Sequence, residues 1–262
     1  MSGPIAFRSP PAVTEGGGAP ITRFEELSHH QTRLGEISLR RRREPVTDTQ
    51  VYEVKLGEEF LMSSLFTVAE EALADLAIAA RVSVSGAEPL SVLVGGLGLG
   101  YTAVAALRHP EVTSLRVIEA LEPVIAWHRD RLLPTSDELI RDPRTQLVLA
   151  DFFALVRERA ASAQDPAAPS AAYDVVLLDI DHAPDFVLHE SHQNFYSQTG
   201  LQCLRDVLQP GGVFALWSDH PPDDAFGAHL GTVFARTHAE VVTFANPLTR
   251  GTSSNTVYLA FR

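Results

Sequence analysis

Between Pro89 and Trp217 the chain repeats one pattern, a short and almost wholly apolar run followed by a segment whose apolar residues recur three and four apart. The apolar runs are Ser91–Val94, Leu115–Ile118, Gln146–Ala150, Val175–Asp179 and Val213–Trp217. The segments between them, Ala103–Leu107, Val124–Leu132, Phe153–Arg159 and Phe195–Val207, carry helical spacing. Strands that lack polar alternation are buried on both faces, so the alternation predicts an α/β fold, a mainly parallel sheet with helices on both sides. Val241–Phe244 and Thr256–Phe261 follow too closely to enclose a long helix and predict an antiparallel hairpin at one edge.

Upstream the pattern changes. Residues 1–22, with four prolines and the run Gly16–Gly18, lack periodicity and read as a disordered tail. Residues 23–81 read as a small β-rich region ending in a helix, and residues 82–262 as the large domain. In the small region Glu36–Leu39 and Val51–Leu56 alternate apolar and polar residues, with breaks at Gly35, Pro45 and Gly57, as in an antiparallel sheet. Arg40 to Arg43 are expected to interrupt that sheet as a solvated edge or turn, an anion or partner site being the minority reading. Helical spacing from Thr67 to about Ala80 closes the region. Ala160–Ala172, rich in Ala, Pro and Ser, reads as a surface loop.

Composition removes several classes of function. The lone Cys203 excludes an internal disulfide and a cysteine zinc cluster. With 21 Lys and Arg against 33 Asp and Glu the net charge is −12, which opposes the counterion-release binding that nucleic acids favour. No apolar stretch reaches the length of about 18 residues that a membrane helix needs, and the N-terminus has no basic and apolar leader. A cytoplasmic protein is expected.

The chemistry-bearing residues cluster after the predicted strands. Gly95-Gly96-Leu97-Gly98-Leu99-Gly100 bends the chain directly between the first core strand and a helix. Glycines there let backbone approach a ligand, and the helix N-terminus favours electron-rich groups. The turn fits a dinucleotide fold, a methyltransferase fold or tight packing without ligand. Glu119 ends the second strand, about twenty residues on, where a carboxylate can accept from a ribose diol. Asp151 ends the third strand and Asp179 the fourth, so the three acids share the carboxyl edge of the sheet and jointly favour a nucleoside-containing ligand.

These residues resemble the spermidine synthase family, a branch of the class I S-adenosylmethionine-dependent methyltransferase superfamily. The resemblance rests on Val92–Gly100, Arg108–Val112 leading to Val117–Glu119, Asp142–Arg144 leading to Ala150-Asp151, Tyr173–Asp179, Phe195-Tyr196 and Leu208–Val213. It covers roughly residues 90 to 220. It implies a Rossmann-like seven-stranded mixed sheet with a C-terminal antiparallel hairpin, Gly95, Gly96, Gly98 and Gly100 beside the nucleoside, Glu119 on the ribose and Asp151 near the adenine. It is also compatible with a homodimer.

Two departures from the family pattern bear on the reaction. Aminopropyltransferases of the family carry an acid in the glycine turn beside the aminopropyl tail, and here that position is Gly98. A neutral turn does not repel the carboxylate of intact S-adenosylmethionine. The family also carries two acids three apart after the fourth strand, the first helping to deprotonate the attacking amine and the second to bind it. Asp179 matches the first, His182 stands at the second, and Asp181 is displaced by one. The family's Asp-Glu and Tyr-His-Glu text is replaced by Glu58-Glu59-Phe60-Leu61-Met62-Ser63-Ser64. The resulting expectation is methyl transfer from S-adenosylmethionine to a small acceptor, possible amines included, with aminopropyl transfer from decarboxylated S-adenosylmethionine as the alternative and a non-catalytic nucleoside-binding module as a third reading. Asp179 and His182 are the catalytic candidates, and Asp181, His182 and Asp219 the acceptor-binding ones. His182, His189 and His192 match no zinc spacing, so no metal is expected.

Overall fold

The computed structural model describes residues 24–86, 88–162 and 172–262; the expected tail over residues 1–22 and most of the expected loop over residues 160–172 lie outside them. The described chain begins with four antiparallel strands in the order β1 (Phe24–Thr32), β2 (Gly35–Glu44), β3 (Thr49–Leu56) and β4 (Glu59–Ser63). Arg40 to Arg43 do not interrupt this sheet. They lie within β2, whose register against β3 runs unbroken from Ile37 opposite Leu56 to Glu44 opposite Thr49. Carboxylates on the neighbouring strands, at the end of β2 itself and in the turn after it make this possible: Arg41 pairs with Glu25 at 2.5 Å, Arg42 with Glu53 at 2.7 Å and with Glu44, and Arg43 with Asp48. A run of like charge is tolerated in a strand when cross-strand partners carry the opposite sign.

Helix α1 (Val68–Ser85) follows and runs five residues past the expected end, because no helix-breaking residue intervenes before Gly86. That glycine, at φ +82°, donates its N–H to the Val82 carbonyl and ends the last turn. The alternating part then supplies β5 (Leu90–Gly95), α2 (Tyr101–Leu107), β6 (Val112–Glu119), α3 (Glu122–Arg129), α4 (Ser136–Arg141), β7 (Thr145–Leu149), α5 (Phe152–Ser162) and β8 (Tyr173–Leu178). A 3₁₀ turn (Glu190–Tyr196), α6 (Gln198–Asp206), β9 (Leu208–Ser218), α7 (Asp224–Leu230), β10 (Arg236–Asn246) and β11 (Gly251–Phe261) complete it.

The seven strands of the large sheet are ordered β10-β11-β9-β8-β5-β6-β7. The five from β5 to β9 are parallel, and β10 and β11 form the antiparallel hairpin at one edge. β5 and β8 are buried along nearly their whole length, which accounts for their unbroken apolar text. One core layer joins Ile37, Leu39 and Val54 of the small sheet to Leu73 and Ile78 of α1 and to Val92, Val94 and Leu177 of the large sheet. The second layer, on the other face, is built on Phe152, Phe153, Phe195 and Phe214. Among the described residues no helix is long and apolar enough to cross a membrane.

Candidate active site

The chain leaves β5 toward β6 on one side and later returns to β8 and β9 on the other. The sheet therefore has its topological switch point between β5 and β8, where open α/β sheets hold ligands. The glycine turn after β5 and Asp179 after β8 meet there. The Asp179 N–H donates to the Gly95 carbonyl at 2.9 Å. Gly96 stands at φ +92°, and a Cβ on it would come within 2.1 Å of the Asp179 carbonyl oxygen, so only glycine lets the two loops approach this closely. Gly98, at φ +48°, presents its hydrogen-bearing face to Met62, whose Sδ would lie 2.8 Å from an added Cβ. Its carbonyl accepts from His128 Nε2 at 2.9 Å. His128 is fully buried, and burial pushes its pKa down to about 4, so at neutral pH the ring is uncharged and holds the turn as a simple donor.

On the β6 and β7 side of the turn lies a cavity of about 390 Å³. Ile118, Leu121, Val124 and Phe152 give it apolar walls, while Glu119 and Asp151 supply carboxylates at two points. Glu119 Oε2 accepts from the Leu97 N–H at 3.1 Å and Oε1 from the Leu121 N–H at 2.8 Å. Burial pushes its pKa up, and those backbone donors oppose the shift. The lone pairs left on each oxygen can accept from a vicinal diol. Asp151 caps α5 through the Ala154 N–H at 3.1 Å and keeps its other oxygen for a donor in the cavity. Trp127, which also lines this space, has a buried indole N–H without a partner. A nucleoside with a donor-bearing base fits this combination of flat apolar walls and separated acids.

A second cavity, of about 510 Å³, opens on the other side of Gly98 and Asp179, toward β9, β10 and β11. Its walls are aromatic, from Phe60 on β4, Phe66 before α1, Trp217 on β9 and Phe244 on β10. Phe66 and Phe244 pack with ring centroids 5.4 Å apart. Three carboxyl groups line it, Glu70, Asp179 and Asp219, and no Lys or Arg does so among the described residues. Asp179 and Gly98 belong to both cavities, so Asp179 stands where the two chambers join. Burial pushes the Asp179 pKa up, while the Thr102 hydroxyl, donating to Oδ2 at 2.7 Å, favours its ionised form.

The sequence candidates separate by position. Gly96, Gly98, Glu119, Asp151 and Asp179 line the nucleoside-sized cavity, and Gly98, Gly100, Asp179, His182 and Asp219 the second one. Gly95 lines neither; its missing side chain makes room for the Phe152 ring, 2.7 Å from where a Cβ would stand. His182 approaches Glu59 Oε1 at 3.3 Å and stacks on Phe186 with ring centroids 5.1 Å apart. Asp219 accepts from Asn255 Nδ2 at 2.8 Å. Asp181 is not brought to either cavity. Its buried carboxylate points the other way and accepts from the Leu188 N–H, the His192 ring and the Tyr196 hydroxyl at 2.7 to 2.8 Å, holding the loop after β8 in place. Among the described residues no three His, Cys, Asp or Glu side chains are grouped to hold a metal ion. Glu70 escaped the sequence reading because two acids in the first turn of a helix read as dipole partners. Only the tertiary fold carries one of them to the mouth of β8.

Fold and cavities together describe a doubly wound α/β protein with a nucleoside-sized chamber joined to an acid-lined one. More narrowly, the chain belongs to the spermine/spermidine synthase family: the spermine/spermidine synthase domain matches residues 68–224. A polyamine aminopropyltransferase of Prochlorococcus marinus is 32% identical over 165 residues, 63% of this chain and 51% of that protein. The chain thus spans about half the length of that relative. Putrescine N-methyltransferase 1 of Nicotiana tabacum is 28% identical over 129 residues, 48% of this chain and 29% of that one. The crystal structure of spermidine synthase from Thermotoga maritima superposes with a TM-score of 0.67 at 19% identity, covering 90% of this chain and 72% of that one, and shows the shared fold.

These findings correct the expectation of methyl transfer. Relatives named polyamine aminopropyltransferase match at 32%, 33% and 28% identity, the first over 165 residues, against 28% over 129 residues for those named putrescine N-methyltransferase. The inference from Gly98 failed because it weighed one neutral residue without the charges around it. Glu70, Asp179 and Asp219 make the adjoining chamber anionic, and one like-charge contact at 4 Å costs about 4 kcal/mol at an effective dielectric near 20.

Proposed function

We propose that the protein transfers an aminopropyl group from decarboxylated S-adenosylmethionine to an amine. The observation that carries the reading is that Asp179 lines both chambers, one suited to a nucleoside and the other anionic and aromatic. Aromatic faces and carboxylates are the groups that receive alkylammonium ions.

The donor contributes a methylene carbon on a positively charged sulfur, and as the amine nitrogen bonds to that carbon the carbon–sulfur bond breaks and its electron pair returns to sulfur, leaving 5′-methylthioadenosine. The residues do the rest. Glu119 and Asp151 hold the nucleoside at two points and the apolar walls fix its plane, which orients the donor. An acceptor enters as an ammonium ion and attacks only as the free amine, so a base must take one proton. Asp179, at the junction, is the base in this reading. His182, paired with Glu59 and set at the chamber wall, is positioned to pass that proton toward solvent.

The test uses the full chain with decarboxylated S-adenosylmethionine and putrescine or spermidine, following release of 5′-methylthioadenosine. Asp179→Asn is expected to lower kcat by at least about 100-fold, the usual effect of removing a general base, while leaving the Kd for 5′-methylthioadenosine within about twofold, since the amide keeps the shape of the junction. No product with either amine at any pH from 7 to 9.5 refutes the reading.

A further inference from the structure

Helix α1 begins over the mouth of the second chamber, and its first turn carries Glu70 and Glu71 side by side. Their surroundings differ. Glu71 is matched, with Arg108 Nη1 at 2.5 Å from Oε2 and the Thr67 hydroxyl at 3.0 Å from Oε1. Glu70 lines the chamber, and the charged groups acting on it are Asp179 at the tip of β8, Asp219 after β9 and Glu71 on its own helix, all acids. Tyr101 of α2 adds a phenol and His182 an imidazole to the same walls. Thr102 ties the pair together: its hydroxyl lies 2.7 Å from Asp179 Oδ2 and 3.3 Å from the Glu70 carbonyl oxygen. Thr102 is itself 3% exposed, so the start of α1 and the tip of β8 are fixed against one another by a buried contact.

We infer that Glu70 and Asp179 together seat the attacking end of the acceptor as an alkylammonium ion, with Glu70 the residue that selects a cation over a neutral acceptor. The inference rests on the aminopropyl-transfer reading only in taking the acceptor to be an amine. Two carboxyl groups face one chamber without a Lys or Arg between them, and each ionised form raises the cost of ionising the other. Burial and the Asp179 charge push the Glu70 pKa up to about 8, so without a cation the pair keeps one proton at neutral pH. An incoming ammonium ion lies between both oxygen pairs and removes the reason for keeping that proton. Binding therefore expels it, and the ammonium donates hydrogen bonds to Glu70 while Asp179 remains free to take the proton needed for attack. An alcohol or neutral amide supplies no charge, leaves Glu70 protonated and gains nothing from it. The aromatic walls beyond, Phe66 and Trp217 among them, enclose the alkyl body.

The experiment is calorimetric titration of putrescine and of spermidine into the full chain saturated with 5′-methylthioadenosine, in phosphate and in Tris at pH 7.5. For the wild type, proton release makes the observed enthalpy differ between the buffers. Glu70→Gln is expected to weaken both amines by at least about tenfold, in the range for a lost hydrogen bond to a charged group, and to abolish the buffer difference. Its 5′-methylthioadenosine affinity stays within twofold, which certifies the fold. Glu71→Gln keeps both the affinity and the buffer difference. If Glu70→Gln binds both amines as the wild type does, or if the wild type binds neither amine, the assignment is overturned. Turnover separates this from the reaction itself. Amine binding through Glu70 without release of 5′-methylthioadenosine from decarboxylated S-adenosylmethionine removes the transfer reading and leaves Glu70 in place, whereas turnover with Glu70→Gln binding unchanged does the reverse.

Discussion

Acid should loosen this protein through one histidine. His128 is fully buried beneath the glycine turn, its Nε2–H donating to the Gly98 carbonyl at 2.9 Å and its Nδ1 3.5 Å from the Ser136 hydroxyl. Burial holds its pKa at about 4, against 6.5 for an unperturbed ring. The folded state thus binds fewer protons than the unfolded one between these values, so stability is fully present above pH 6.5 and is lost as pH falls toward 4. The gap of about 2.5 units is worth about 3 kcal/mol in all, of which about 2 kcal/mol is lost between pH 7 and pH 5. Glu70, pushed up to about 8, acts with the opposite sign: the fold holds its proton more tightly than the unfolded chain does, so its contribution falls as pH rises from about 4.5 to 8. A single stability profile therefore mixes the two. The comparison that isolates His128 is urea unfolding of the wild type and His128→Gln at pH 5, 6 and 7, because Gln can donate to the Gly98 carbonyl but does not titrate. The wild type should lose about 2 kcal/mol more than the variant between pH 7 and 5. Parallel profiles would mean that the ring is accessible to protons, and the account of the turn as a buried, uncharged brace would be wrong.

Two further substitutions test the geometry. Gly96→Ala places a methyl group against the Asp179 carbonyl, 2.1 Å away, at a φ of +92°, and should cost more than about 3 kcal/mol in urea or thermal unfolding; a loss below 1 kcal/mol would show that the turn relaxes freely. Glu119→Gln loses one acceptor at a site where Leu97 and Leu121 N–H groups already point, and should raise the 5′-methylthioadenosine Kd by about 10-fold or more in calorimetry. An unchanged Kd would remove Glu119 from the nucleoside site.

The parallel strands were legible because burial on both faces leaves a continuous apolar text, as in Val92–Val94 and Val175–Leu178. The acids at strand ends were legible for a related reason, since a carboxylate after an apolar run has few places to go but the sheet edge. Arg40 to Arg43 misled because charge alone does not reveal cross-strand partners; Glu25 and Glu53 are distant in sequence and only the antiparallel register brings them alongside. Asp181 misled because residues two apart share a face only while a strand continues; β8 ends at Leu178, and in the loop that follows Asp179 faces the cavity while Asp181 faces the protein interior. Glu70 was illegible for the same geometric reason at longer range. Its place on the chamber wall depends on α1 packing against β8 and β9, a packing choice with no local signature.

The acids of the site differ in how far the protein itself satisfies them, and that difference follows the direction of the proposed reaction. Asp151 and Glu119, at the nucleoside end, already accept hydrogen bonds from backbone N–H groups. Asp179, at the junction, receives one hydroxyl on Oδ2. Glu70, beyond it, faces other acids. A ligand with neutral sugar and base edges is therefore sufficient for the first chamber, whereas the second is electrostatically incomplete until a positive charge enters it. The net charge of −12 acts in the same sense at long range, drawing amines and repelling anions before any contact forms. In the proposed reaction the discrimination between an ammonium tail and a carboxylate tail rests on the whole chamber, and Gly98→Asp would add a fourth acid to Glu70, Asp179 and Asp219.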